Sequence, residues 1–336
     1  MRTDYVKNEV FSLKESGKSS IDNFEFAKEK RDKVSVIDNF SILSKIGNTP
    51  LIKIKKLPED ISPDVSIYAK AEWFNPGGSI KDRAALNMIL EGEKNGLLDH
   101  SKIILDATSG NTGIAYALIA AVKGYKVKLV LPANASEERK KILNAYGTEI
   151  ILTDPLEGTD GAQKVAKEIY QSNREKYFYP DQYNNPANWL AHYKTTAGEI
   201  WDQTEGNITH FVCGLGTTGT FTGTSKRLKE LNPKIKCIEL QPDSPLHGLE
   251  GLKHLPTSNI PGIYDEALRD QLLEVSTEES YNIVKQLASE EGLFVGISSG
   301  AAMAASLKAA KELESGVIVT VFADGGIKYL SENIWE

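Results

Sequence analysis

Residues 102–113 read Lys102-Ile103-Ile104-Leu105-Asp106-Ala107-Thr108-Ser109-Gly110-Asn111-Thr112-Gly113, and a long apolar stretch, 114–121, follows without a break. The short aliphatic run closed by Thr-Ser-Gly-Asn reads as a buried strand, and the apolar stretch after it is too long for one and reads as a helix. Strand, glycine-containing turn and helix in that order form a βα unit.

The same alternation extends in both directions. Strands are expected at 66–70, 102–106, 126–131, 149–152, 210–213, 236–240 and 317–322, with helices near 82–95, 111–122, 136–146, 160–172, 219–231, 277–290 and 300–314. That order predicts an α/β protein with parallel sheets covered by helices. Asn134 with Glu137, and Ser276 with Glu279, have the spacing of capping boxes, while Gly96, Gly124 and Gly147 suit the left-handed turn after a helix. At roughly 100–200 residues per domain, the 336 residues suggest two domains. Residues 1–42 form a polar, charged arm without periodicity, and 241–265 is the longest stretch without a regular pattern, of the kind that covers sites.

Composition narrows the partners. The chain is 40% hydrophobic and 25% charged, as expected of a globular protein. No apolar run approaches the roughly 20 residues of a membrane span, and the first residues lack the apolar segment of a signal peptide, so a soluble, cytoplasmic protein is expected. A net charge of −7 without a basic block gives no footing for nucleic acid or an anionic membrane, which leaves small molecules. Cys213 and Cys237 lie inside apolar runs and read as buried thiols on strands. The five histidines show no ligand spacing, so no metal is expected.

Four segments could carry chemistry. Phe74-Asn75-Pro76-Gly77-Gly78-Ser79-Ile80-Lys81-Asp82-Arg83 places a lysine at a helix start, where the helix dipole favours the neutral, nucleophilic amine; alone it also fits a surface lysine after a turn. Thr108 to Gly113 opens a helix with small hydroxyls and backbone N–H groups that suit a carboxylate, or forms an ordinary capped turn. Gly214-Leu215-Gly216-Thr217-Thr218-Gly219-Thr220 makes a similar cradle for a phosphate. It also spells G-x-G-x-x-G, with Glu239 about where a ribose-binding acid belongs, so a dinucleotide-binding dehydrogenase is an alternative. Such a site would leave Lys81 and Asn111 without a role. In Gly296-Ile297-Ser298-Ser299-Gly300, either hydroxyl could face a ligand, although helix capping is the plainer reading.

Together with Gly47-Asn48-Thr49-Pro50-Leu51, Pro180 to Pro186 and Asp324 to Ser331, these segments stand in the order found in the cysteine synthase (O-acetylserine sulfhydrylase) family of pyridoxal 5′-phosphate (PLP) enzymes, which the chain resembles from about residue 46 to 331. The resemblance implies the fold type II, tryptophan-synthase-β-like architecture of two doubly wound α/β domains: a smaller mobile one over 85–187 and a larger PLP-binding one over 43–84 and 188–336. Lys81 would tether PLP and act as base; Asn111 would bond its 3′-oxygen; Gly216, Thr217, Thr218, Gly219 and Thr220 would hold its phosphate; Ser298 would face the ring nitrogen. A hydroxyl in that last place moderates the electron sink, which suits β-elimination over transamination. The substrate carboxylate would lie on Thr108, Ser109, Gly110 and Thr112, with Gln182 reaching across.

The implied reaction is ping-pong β-replacement, through α-aminoacrylate, of O-acetylserine by sulfide or another sulfur donor, in a homodimer. Thr218, Asp324-Gly325-Gly326 and Ile260-Pro261-Gly262-Ile263-Tyr264 depart from the common pattern toward the B-type branch, some of whose members take O-phosphoserine. A phosphate leaving group calls for a bidentate cation, and no arginine lies between Arg227 and Arg269, which favours O-acetylserine unless Lys253 or His254 substitutes. Cystathionine β-synthase chemistry is the alternative within the fold, and a catalytically silent binding protein the alternative outside it.

Overall fold

The computed structural model describes residues 38–336 apart from Glu59, Ser109, Asn333 and Glu336. Most of the expected polar arm at 1–42 therefore lies outside the described residues. The elements in chain order are β1 (Leu51–Ile54), β2 (Val65–Ala71), α1 (Lys81–Lys94), β3 (Ile103–Ala107), α2 (Asn111–Lys123), β4 (Lys126–Pro132), α3 (Glu137–Ala145), β5 (Glu149–Thr153), α4 (Gly158–Ser172), β6 (Tyr177–Phe178), α5 (Pro186–Lys194), α6 (Thr196–Gln203), β7 (His210–Gly214), α7 (Gly219–Leu231), β8 (Lys236–Pro242), β9 (Gln271–Val275), α8 (Thr277–Glu291), α9 (Ile297–Lys311) and β10 (Gly316–Phe322).

Among the described residues two sheets result: six strands in the order β1-β2-β10-β7-β8-β9, and four in the order β5-β4-β3-β6. All pairings are parallel except β1 on β2, which is antiparallel and corrects the expectation of purely parallel sheets. That edge strand, two-residue β6 and half-exposed β9 were not expected from the sequence; each is short or lies at an edge, where the apolar signal is weak. Helices α5 and α6 were also missed, although Asn185 caps the first and Pro186 begins it.

Each sheet buries both faces because its strands alternate. In β3, Ile104 packs with Met88, Ile89 and Ile114 of α1 and α2, while Leu105 faces Ala162 and Ala166 of α4. In the larger sheet Val212 joins Ala301 and Ala305 of α9, and Phe211 joins Phe221 and Leu228 of α7. Each fully buried aliphatic or aromatic side chain contributes about 1.5–3 kcal/mol relative to exposure, so helix cover on both faces follows from the strand composition.

Caps follow local chemistry. Ser276 accepts from the Glu279 N–H at 3.1 Å, as its spacing predicts. Helix α3, however, is capped by Ser136 accepting from Arg139 N–H, and not by Asn134: the chain at Ala135 is still turning, with its N–H on the Pro132 carbonyl. Gly96, Gly124 and Gly147 all take positive φ, as expected. Cys213 and Cys237 are buried free thiols, and burial pushes them up to about 12 and about 11 respectively. Among the described residues no helix is long and apolar enough to cross a membrane.

The topology places the site. In parallel sheets a crevice opens at the carboxyl ends of strands where the order reverses. In the smaller sheet that point lies between β3 and β6, and in the larger between β10 and β7. The segments 108–110, 179–183, 215–218 and 323–325 all leave those strand ends.

Candidate active site

Lys81 is the first residue of α1. The chain before it is tied to the larger sheet: Ile80 N–H donates to the Ala323 carbonyl at 2.9 Å, and Ser79 pairs with Asp324. The side chain enters a cavity it shares with Thr108, Asn111, Thr217 and Ser298. Among the described residues its amine has no hydrogen-bond or ion-pair partner. Burial lowers its proton affinity against an opposing pull from Asp324, which favours a neutral, nucleophilic amine.

The turn from β7 to α7 forms a second wall. Thr218 has φ 66°, in the left-handed region, and α7 starts without any side-chain cap, so its first N–H groups face the cavity mouth of the turn uncovered. Gly216, Thr217, Thr218 and Thr220 line the cavity. Gly219 does not; a Cβ there would stand 2.1 Å from Asn188 Oδ1 of α5, so that helix leaves no room for a side chain at this position. Asn188 donates to Thr217 Oγ1 at 3.2 Å, and His192 Nε2 lies 3.3 Å from Thr220 Oγ1. Burial, helped by the charge of Arg83, keeps His192 neutral. The sequence pointed to neither Asn188 nor His192, since their partners are fixed only when α5 packs on α7.

On the opposite wall Asn111 is held at both ends of its amide. Its Nδ2 donates to Asp324 Oδ2 at 2.7 Å, and its Oδ1 accepts from Lys328 Nζ at 2.8 Å. Lys328 also donates to the Gly77 and Gly78 carbonyls at 2.9 and 3.1 Å, which ties the segment before Lys81 to Asn111. Thr108 and Thr112 line the cavity, α2 starts after Gly110 without a side-chain cap, and the Gly110 N–H donates to Thr108 Oγ1 at 3.0 Å. Ser109 lies outside the described residues. Gln182, buried, accepts from Thr112 Oγ1 at 2.9 Å and donates to the Ala107 carbonyl at 2.8 Å, so the two sides of the smaller sheet's reversal point meet at this loop.

Capping does not account for the serines at α9. The N-cap is Gly296 and no side chain caps the helix; Ser298 lines the cavity instead. Glu239, the acid of the dinucleotide alternative, is buried away from the cavity, accepting from Tyr264 at 2.9 Å and Arg269 at 3.4 Å. Two charged cavity residues escaped the sequence reading. Arg139 of α3 is ion-paired with Glu250 and its guanidinium lies 4.7 Å from the centre of the Tyr329 ring. The approach of α3 to the loop after β8 leaves no local trace in the sequence.

Among the described residues, a half-buried amine without a partner, three threonine hydroxyls at an uncapped helix start, an anchored asparagine and a serine hydroxyl in one cavity form a donor set that fits a phosphorylated aldehyde cofactor. The family model for pyridoxal-phosphate dependent enzymes matches residues 42–324. Cysteine synthase of Aquifex aeolicus (strain VF5) is 56% identical over 87% of this chain and 90% of its own length. Cysteine synthase B of Escherichia coli (strain K12) is 44% identical over 86% of this chain and 94% of its own. The crystal structure of an O-acetylserine dependent cystathionine beta-synthase from Helicobacter pylori superposes with a TM-score of 0.84 at 38% identity, covering 90% of this chain and 100% of that one. The chain therefore belongs to the pyridoxal-phosphate dependent enzymes and, among them, to the cysteine synthases.

Proposed function

We propose that the protein makes L-cysteine by exchanging the acetate of O-acetyl-L-serine for sulfide, with PLP held on Lys81. The observation that carries this reading is the partnerless Lys81 amine facing the threonine turn across one cavity. PLP, when bound, supplies the electron sink for breaking the Cα–H and Cβ–O bonds. The chain's own residues do the rest. Gly216, Thr217, Thr218, Gly219 and Thr220 would take the phosphate with N–H groups and hydroxyls, Asn111 would take the 3′-oxygen and Ser298 the ring nitrogen. Thr108, Ser109, Gly110 and Thr112 bind the substrate carboxylate, and Gln182 holds that loop. Lys81 would hold the cofactor's aldehyde carbon, and its amine, with substrate in place, would take the Cα proton and keep it.

The smaller sheet and its helices, 85–187, would swing toward the larger unit when the carboxylate binds. Phe74, Phe294 and Ile327, exposed on neighbouring segments, support a homodimer. A cystathionine-forming reading is favoured only by the likeness to the Helicobacter pylori enzyme, and comparing homocysteine with sulfide as acceptor separates the two.

The test is absorption spectroscopy. The purified protein should absorb in the violet, shift with O-acetylserine and return with sulfide; Lys81→Ala should lose both responses and about 10³-fold or more in turnover. A colourless protein, or a Lys81→Ala variant that still turns over, would sink the reading.

A further inference from the structure

The leaving group of the substrate has to sit somewhere in this cavity, and its charge must match what lines it. Although no arginine lies between Arg227 and Arg269, the fold brings one from 111 residues before the loop after β8: Arg139. Its stem runs so close to the Thr108–Thr112 turn that a Cβ on Gly110 would stand 2.1 Å from Arg139 Cδ. Its guanidinium lies over the Tyr329 ring, and both Arg139 and Glu250 line the same cavity as Lys81 and Thr112. The Arg139 side chain is 2% exposed and that of Glu250 is 27% exposed, so the arginine is fixed and the carboxylate is the more accessible partner. At the mouth of the cleft another cation, Lys253, is already 3.2 Å from Asp160.

An arginine in a water-poor cavity is a strong phosphate receptor when its fork is available, and a weak one when a carboxylate already holds it. Here the carboxylate is supplied by the protein itself. An anionic substituent entering next to this pair would meet Glu250 first and would have to displace it from Arg139. An acetyl ester meets no such opposition.

We propose that Glu250 sets the leaving-group specificity of the site: by holding the Arg139 guanidinium it selects serine derivatives with an uncharged β-substituent, and Arg139 released from it accepts a phosphate. This rests on the β-replacement reading above and extends it to the charge of the substrate.

The experiment compares kcat/KM for O-phospho-L-serine and O-acetyl-L-serine, each with sulfide, in the PLP-loaded protein, in Glu250→Gln and in Glu250→Gln/Arg139→Gln. The same three are titrated with inorganic phosphate by calorimetry. Glu250→Gln should move the phosphoserine-to-acetylserine ratio up by about tenfold or more and tighten phosphate binding by a similar factor, and the double substitution should reverse both. Glu250→Ala serves as a second variant should the amide fail to accumulate. A ratio and a phosphate affinity both unchanged within about threefold, or gains that survive loss of Arg139, would overturn the proposal. If neither ester turns over even in the unsubstituted protein, the β-replacement reading falls, and the phosphate titration still decides whether Glu250 masks Arg139.

Discussion

Thr218 carries a β-branched side chain at φ 66°, a conformation that costs a residue of this type about 1–2 kcal/mol. Among the described residues its hydroxyl bonds only to the adjacent Thr217 carbonyl, at 2.6 Å, so no distant partner there offsets the strain. The left-handed turn aims the first N–H groups of α7 at the cavity, which is a reason to keep the backbone shape whatever the side chain. Thr218→Gly should therefore keep the violet absorption of the bound cofactor and raise thermal stability by about 1 kcal/mol. A loss of cofactor in that variant would show that the Thr218 hydroxyl, and not the backbone, holds the phosphate.

At the level of elements, β2, α1 and α6 are joined by a buried charge network beneath the Lys81 turn. Arg83 donates to Glu72 at 2.8 Å and to Glu199 at 2.6 and 2.7 Å, and Lys70 meets Glu199 at 2.7 Å. Burial works against ionising Glu199, but hydrogen bonds and charge from Arg83, with Lys70, outweigh it and hold the carboxyl down at about 2, against an ordinary 4.5. A depressed acid stabilises the fold fully above its unfolded value and loses that contribution as pH falls toward the folded value. Stability should drop between about pH 4.5 and pH 2, with about 2 kcal/mol from this group after screening at its partly exposed edge. Glu199→Gln should cost about 3 kcal/mol at neutral pH by leaving Arg83 and Lys70 short of a counter-charge, and should flatten the acid limb of the denaturation profile. An acid limb as steep as in the unsubstituted protein would assign that transition to other carboxylates.

For the whole molecule, the cavity is divided between two sheets, and few side chains span the division. Ser136 donates to the Lys328 carbonyl at 3.2 Å, Glu138 accepts from Ser331 Oγ at 2.7 Å, and Asp160 pairs with Lys253. These contacts sit on the cleft side of α3 and α4, where closure onto a bound carboxylate would tighten them. L-serine carries the carboxylate and amine of the substrate without a good leaving group. Its binding should slow amide hydrogen exchange in α3 and α4 by about threefold or more and leave α8 and α9 unchanged, as local opening is suppressed only in the moving layer. Equal protection in both layers would argue for binding without closure.

The chemistry legible from the sequence alone was local. Strand and helix periods, the glycines and threonines of the two turns and a lysine at a helix start all act within a few residues, so the α/β class, Lys81, Asn111 and the threonine turn could be read from the chain in order. The resemblance then joined them into one site. What only the folded chain decided is which of these distant pieces meet, because the sheet order, and not the sequence spacing, makes neighbours of strands. Asn111 finds Asp324 and Lys328 across 213 and 217 residues, and Arg139 finds Glu250 across 111. The antiparallel β1, the neutral His192 behind the threonine turn and the masking of Arg139 are of the same kind: each depends on a long-range contact whose partner carries no local signal.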